Sequence, residues 1–212
     1  MRIAWHGHAC FEVQGNEGTV LTDPHDGKSL GIKPPNCRPD LVLISHDHFD
    51  HNGVRALKGN FTTINKPGTS EVKGIRIKGI EAAHDELGGA KRGPNIMFRF
   101  EMGGVSFLHC GDLGHALSPE QLRSIGSVDV LFVPVGGVFT VDGRQARKVV
   151  TDVSPKAAIP MHYRYGGLTL SIQPVDPFLD GLAKEKVHRV GNSMDFTKDE
   201  LPVETEYWVF SP

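Results

Sequence analysis

The segment Asp40-Leu-Val-Leu-Ile-Ser45 is a continuous apolar run after Pro39, the mark of a strand buried on both faces. It leads directly into His46-Asp47-His48-Phe49-Asp50-His51, three imidazoles and two carboxylates in six residues. Core packing gives no reason for such a loop, because burying these groups without partners costs on the order of several kcal/mol. A solvated loop would tolerate them, yet this one is anchored by Leu41–Ile44, so its base lies near the interior. Neutral imidazole and carboxylate oxygen are the ligands preferred by zinc and its first-row neighbours. His46 and His48, two apart, can converge on one ion; Asp50 and His51, past the turn, can face a second.

The rest of the chain supplies a frame. Arg2–Trp5, Cys10–Val13 and Thr19–Thr22 read as a strand meander separated by Gly7 and Gly15–Gly18. A short helix is predicted over Gly53–Lys58, and strands over Phe61–Ile64, Gly74–Ala82, Ile96–Glu101 and Val105–His109. The second half alternates: helices over Pro119–Ile125, Asp142–Val150 and Val175–Lys184, strands over Val128–Val133, Ala157–Ile159, Val187–Arg189 and Glu206–Phe210. A meander followed by alternating elements suggests a layered α/β sandwich with helices outside two sheets. With no repeat or linker, residues 1–212 read as one domain.

Composition narrows the function. A net charge of -2 argues against a basic groove around nucleic acid. The longest apolar runs are broken by Pro134, Gly136 and Gly137, so no membrane span is expected. Met1–Trp5 enters strand-like sequence without the features of a signal peptide, which makes the cytoplasm the expected compartment. Three cysteines without CxxC spacing, Cys10, Cys37 and Cys110, exclude a disulfide scaffold or thiolate zinc knuckle. Cys110 reads as small, buried and inert.

The run His46–His51 resembles the HxHxDH signature of the metallo-β-lactamase superfamily. Trp5-His6-Gly7-His8-Ala9-Cys10-Phe11 is similar to the opening of its small metal-dependent hydrolases related to ascorbate-6-phosphate lactonase, and Thr22-Asp23-Pro24 to their following strand end. Ala82-Ala83-His84, His109-Cys-Gly-Asp112, Pro134–Thr140 and Ile159-Pro-Met-His162-Tyr163 resemble the later motifs, in the family's order. The resemblance implies a single-domain four-layer αβ/βα sandwich holding two divalent ions, Zn2+ first, with Mn2+ or Fe2+ as alternatives. It implies that His46, His48 and His84 hold one ion, that Asp50, His51 and His162 hold the other, and that Asp112 bridges them. Strand ends that converge on one edge would give such a site its rigidity.

The implied reaction is attack by a metal-bridging hydroxide on a phosphoester, lactone or related small ester, with Asp112 and Asp50 as the catalytic carboxylates. His8 and Asp23 are expected to hydrogen-bond the ligands, and Asp47 to bond its own loop. The stretch Asp85–Pro94 reads as a flexible lip carrying Lys91 and Arg92. With Arg144 and Arg164 these cations favour an anionic small-molecule substrate; an exposed helix face explains Arg144 equally well. His6 reads as a satisfied polar residue, His109 as packing, His25 as a solvated turn, His115 as rim and His188 as surface. The alternatives are an iron-dependent redox enzyme on this fold, which a complete second ligand set disfavours, and a metal binder without catalysis. A homo-oligomer stays open.

Overall fold

The computed structural model describes residues 1–211, and two mixed sheets face one another across a shared core. The first sheet is built from β1 (Arg2–Trp5), β2 (Phe11–Gly15), β3 (Gly18–Thr22), β4 (Leu41–Leu43) and β5 (Thr62–Ile64). The second begins with β6 (Gly68–Val72), β7 (Ile75–Ala83), β8 (Pro94–Met102) and β9 (Val105–His109). It continues through β10 (Val130–Pro134) and β11 (Ala157–Met161), and closes with β12 (Val187–Arg189) and β14 (Glu206–Val209). A late strand, β13 (Ser193–Asp195), crosses back to flank β1, giving the orders β13-β1-β2-β3-β4-β5 and β12-β14-β11-β10-β9-β8-β7-β6.

Alternation along the strands sends Ile3, Trp5, Phe11, Val13, Val20, Leu41 and Leu43 inward from the first sheet. Phe98, Phe100, Phe107, Phe132 and Ile159 meet them from the second. The rings of Phe11 and Phe132, 4.6 Å apart, join the two sheets directly.

Helix α1 (Pro119–Ile125) starts at a Ser118/Gln121 capping box, and α2 (Gly143–Val153) at an Asp142/Gln145 box. Ala146, Val149 and Val150, at helical spacing, turn one face of α2 to β10. The short α3 (Asp176–Leu179) packs on α2, where Gly143 lies against the Phe178 backbone too closely for a Cβ. These helices cover the second sheet. Over the first, Cys37, Val54, Leu57 and Phe61 from loops and 3-10 turns cover Leu21 and Val42. Among the described residues no helix is long and apolar enough to cross a membrane.

Several elements depart from the sequence expectations. The helix over 53–58 is a single 3-10 turn, Val54–Ala56. The helix over 175–184 stops at Leu179, before Gly181, whose φ is +76°. Strands β6 and β13 carry polar sequence and are held by their partners β7 and β1.

Strand direction positions everything that follows. β3 and β4 run parallel, as do β9, β10 and β11, and β7 lies antiparallel to β8, which is antiparallel to β9. The C-terminal ends of β7, β9, β10 and β11 therefore share one edge of the second sheet, the usual place for a site in parallel sheets.

Candidate active site

The histidines and carboxylates of interest follow strands of both sheets: Asp23 after β3 and His46 after β4 from the first, and His84 after β7, Asp112 after β9 and His162 after β11 from that edge of the second. The turns that present them are tight. His8, Asp23 and His162 adopt φ of +56°, +39° and +53°, a region that costs a side-chain-bearing residue of order 1–3 kcal/mol. Gly111, at φ +55°, has no room for a Cβ against Asn95 and Ser45, and Asp112 follows it into the centre.

Asp112 is the hub. Its Oδ2 lies 3.2 Å from Nε2 of His84, 3.2 Å from Nε2 of His162 and 4.0 Å from Nε2 of His46; its Oδ1 lies 3.3 Å from Nε2 of His51. Around it the donors form two groups. His46, His48 and His84 make one, with His46 Nε2 and His48 Nδ1 3.0 Å apart. His8, Asp50, His51 and His162 make the other, in which His8 Nε2 donates to Asp50 Oδ2 at 3.0 Å.

One buried carboxylate sets the tautomers of both groups. Asp23 accepts the Ser45 amide at 2.8 Å, the Ser45 hydroxyl at 2.6 Å and His51 Nδ1 at 2.9 Å. Because the Ser45 proton points to Asp23, Ser45 Oγ accepts from His46 Nδ1 at 2.9 Å. The Nε2 atoms of His46 and His51 are thereby aimed at the cluster. Ser45 and Asn95 belong to no sequence pattern that singles them out. Asn95, buried in β8, donates to the Cys110 carbonyl at 2.8 Å and accepts the Asp112 amide at 3.0 Å, so it holds the turn that delivers Asp112. A lone polar residue within the apolar run 95–98 was the available signal.

The electrostatics suit a cation. Burial, reinforced by neighbouring imidazoles, lowers His46 and His8 to about 3, so both are neutral. His51 is raised despite its burial, because Asp112 and Asp23 flank it, and in the absence of a cation it holds a proton. Asp112 and Asp50 stay charged: burial opposes this, but His162 and His51 beside Asp112, and His8 and His51 beside Asp50, outweigh it. Buried polar atoms without a hydrogen-bond partner gather here: His51 Nε2, Asp112 Oδ1, His84 Nδ1 and His162 Nδ1. Folded proteins pair nearly all such atoms, so this N- and O-donor set fits divalent metal ions.

Two cavities adjoin the cluster. One of about 720 Å³ is bordered by His46, His48, Asn52 and Glu81; one of about 350 Å³ by His84, Leu87, Val138 and Phe139. Arg92 lines both, and Lys91 the smaller. Arg144, exposed on α2, and Arg164, exposed after β11, line neither cavity; on α2 it is the neighbouring Gln145 that reaches the smaller one.

The lip is not loose: Asp85 accepts the backbone N–H groups of Leu87, Gly89, Lys91 and Arg92. Against the cost of desolvation, those four bonds hold its carboxyl near 2. Asp47 accepts from Asn52 Nδ2 within its own loop at 2.8 Å. His25 is buried rather than solvated, its Nε2 donating to the His6 carbonyl at 3.0 Å, because Gly53 packs directly on its backbone. His6 pairs with Glu12, and His109 donates to the Ala9 carbonyl. His115 accepts the Ala83 amide, and His188 faces Glu206.

The chain belongs to the metallo-β-lactamase superfamily: the family described as "Beta-lactamase superfamily domain" matches residues 2–162. A metal-dependent hydrolase of Thermoplasma acidophilum is 33% identical over 188 residues, covering 77% of this chain and 83% of that protein. One from Methanopyrus kandleri is 32% identical, covering 77% and 84%. A Thermotoga maritima crystal structure assigned to the Zn-dependent hydrolases of the superfamily is 39% identical, covers 99% of this chain and 97% of that one, and superimposes with a TM-score of 0.82. The di-iron β-hydroxylase CmlA of Streptomyces venezuelae, 17% identical with a TM-score of 0.56 over 76% of this chain and 44% of its own, shares the fold alone.

Proposed function

We propose that this metal-dependent hydrolase of the metallo-β-lactamase superfamily works with two divalent ions, zinc foremost, and cleaves a phosphoester, lactone or related small ester. The observation that carries the reading is Asp112, one buried carboxylate within 4.0 Å of imidazole nitrogens from four different histidines. His46, His48 and His84 would hold one ion, Asp50, His51 and His162 the other, and Asp112 would span both. Manganese and iron suit the same N and O donors. Bound there, the ions supply an acidified water near neutral pH and polarise the ester oxygen.

The protein's own residues do the rest. Asp23, directly and through Ser45, keeps Nε2 of His51 and His46 turned to the cluster, and His8 fixes one oxygen of Asp50. Asp112, kept charged at the centre, is the base placed to take the proton of the attacking water. Arg92 stands between the two cavities, where it can orient an anionic or carbonyl-bearing substrate; Lys91 adds a second cation on one side. The second donor group favours the binuclear reading over a mononuclear iron site, which would not need it.

The test is Asp112→Ala. It should lower bound metal from two ions per chain to one or fewer and abolish hydrolysis, while His188→Ala, at the remote β12 edge, leaves both unchanged. Full metal content and activity in Asp112→Ala would overturn the assignment.

A further inference from the structure

Apart from the central cluster, three donors of different chemistry meet on the first sheet: the His6 imidazole, the Glu12 carboxylate and the Cys37 thiol. Their ligand atoms all lie within 4.8 Å of one another. Three separate segments supply them. His6 follows β1. Glu12 lies on β2, where alternation turns Phe11 to the core and Glu12 to the outer face. Cys37 lies on the loop that crosses this face, packed on the cluster of Cys10, Leu21 and Val42. His6 Nε2 and Glu12 Oε2 are 2.8 Å apart, and each side chain is 19% exposed, so the group is half-buried and open to ions from solvent.

The loop is stiff where it carries the cysteine. Pro34, Pro35 and Pro39 bracket Asn36-Cys37-Arg38, and the fixed φ of each proline narrows the conformations open to the segment. Among the described residues, no backbone group of residues 33–39 bonds to another backbone group, so packing and the prolines hold the thiol in place. His6 also borders a cavity of about 700 Å³ with Trp5, Ile32, Asn36 and Tyr165, which gives water a path to a fourth position. One imidazole, one carboxylate and one thiolate make a donor set for zinc and its thiophilic neighbours; magnesium and calcium prefer oxygen alone.

We infer that His6, Glu12 and Cys37 form a further cation site, separate from the central cluster, for a thiophilic divalent ion of the zinc class. The site is independent of the hydrolase reading above. When the ion binds, it displaces the His6–Glu12 hydrogen bond, and the Cys37 thiol releases its proton to solvent. Those costs, and a set of only three protein donors, make this site weaker than the buried cluster. It fills last, when metal is supplied in excess, and purified protein carries the central ions alone. The ion would brace the turn from His6 to His8, whose two ends bond inward: the His6 carbonyl accepts from His25 Nε2 at 3.0 Å, and His8 donates to Asp50.

The experiment is cobalt titration of the reduced, metal-free protein. Thiolate-bound Co2+ gives a sulfur-to-cobalt absorption in the near ultraviolet that imidazole and carboxylate ligands do not. The central donor groups contain no cysteine, so the band reads this site alone. It should appear late in the titration, be absent from Cys37→Ser, and persist in Asp112→Ala. Thiol labelling gives a second readout, because Cys10 and Cys110 are buried and Cys37 is the half-buried thiol. Zinc at about ten times its dissociation constant for this site should slow labelling of Cys37 about tenfold. In Glu12→Gln, which keeps the size of the side chain, the same zinc concentration should give little protection. No thiolate band at saturating cobalt, or a band that survives Cys37→Ser, overturns the inference. So does labelling that zinc leaves unchanged in the wild type. A band lost in Asp112→Ala also overturns it, since Cys37 would then answer to the central cluster. Should Cys37→Ser fail to fold, His6→Gln and Glu12→Gln carry the same test: a band of wild-type strength and affinity in both refutes the site.

Discussion

Replacing Asp23 by Asn alters one atom and removes a charge from the interior. Asp23 is fully buried and accepts three hydrogen bonds, from the Ser45 amide, the Ser45 hydroxyl and His51 Nδ1. The Asn carbonyl can keep the amide bond, but its NH2 then faces the two other donors. Two hydrogen bonds to a charged acceptor are worth about 1.5–3 kcal/mol each, and part returns when the donors reorient. Reorientation carries its own consequence. The Ser45 hydroxyl turns to donate to His46 Nδ1, and His51 moves its proton to Nε2, so each imidazole presents N–H to the cluster. Both proposed ion sites are affected by one substitution. Metal affinity should fall about 10- to 100-fold, or about 1.4–2.7 kcal/mol. The metal-free protein should lose about 2 kcal/mol, a Tm drop of roughly 4–8 °C for a chain of this size. Zinc titration against a fluorescent chelator reads the first quantity and thermal unfolding in EDTA the second. Affinity within twofold of wild type would refute the argument that Asp23 sets the tautomers.

Other expectations follow from the same geometry. Burial lowers His8 and His46 to about 3 and His25 to about 4, so all three fold as neutral rings. Unfolded chains take up these protons near the ordinary value of about 6.5. Stability of the metal-free protein should therefore fall with pH below 6.5, by about 2 kcal/mol per ring at pH 5. His51, which is raised, stays protonated in the folded protein while the unfolded chain takes up its proton near 6.5, so between pH 7 and pH 5 it offsets a part of this loss. Denaturant melts in EDTA at pH 7 and pH 5 check this, and equal stability would contradict it. Asp85→Ala should free the lip, seen as faster hydrogen exchange and proteolysis between Leu87 and Arg92, with no change at Asp112. Asn95→Leu should weaken metal binding without touching any proposed ligand, because the Asp112 amide loses its acceptor.

Local sequence carried much of this architecture, for physical reasons that also explain the failures. β9 and α1 fall on the predicted residues, Val105–His109 and Pro119–Ile125, because one is a buried apolar run and the other begins with Ser118-Pro119 and a capping Gln121. β13 was unreadable because Ser193–Asp195 has no apolar pattern; it is a strand because Met194 pairs with Ile3 from the other end of the chain. The motif histidines could be grouped from their spacing and from the family resemblance. The residues that orient them could not. Ser45, Asn95 and Asp85 act through backbone groups brought near by turns at Asp23, Gly111 and Gly89, and no local pattern announces those contacts. For the basic residues two readings stood open at Arg144, and helix phase separates them: Arg144 is exposed on α2 while its neighbour Gln145 lines the smaller cavity.

The most direct test of the central claim is metal content of protein purified without chelator, measured alongside hydrolysis of bis-p-nitrophenyl phosphate and p-nitrophenyl esters. Near two divalent ions per chain, with turnover that EDTA abolishes and zinc or manganese restores, is the predicted result. About one iron per chain, no hydrolysis, and oxygen uptake would contradict the account and move the protein to oxidative chemistry.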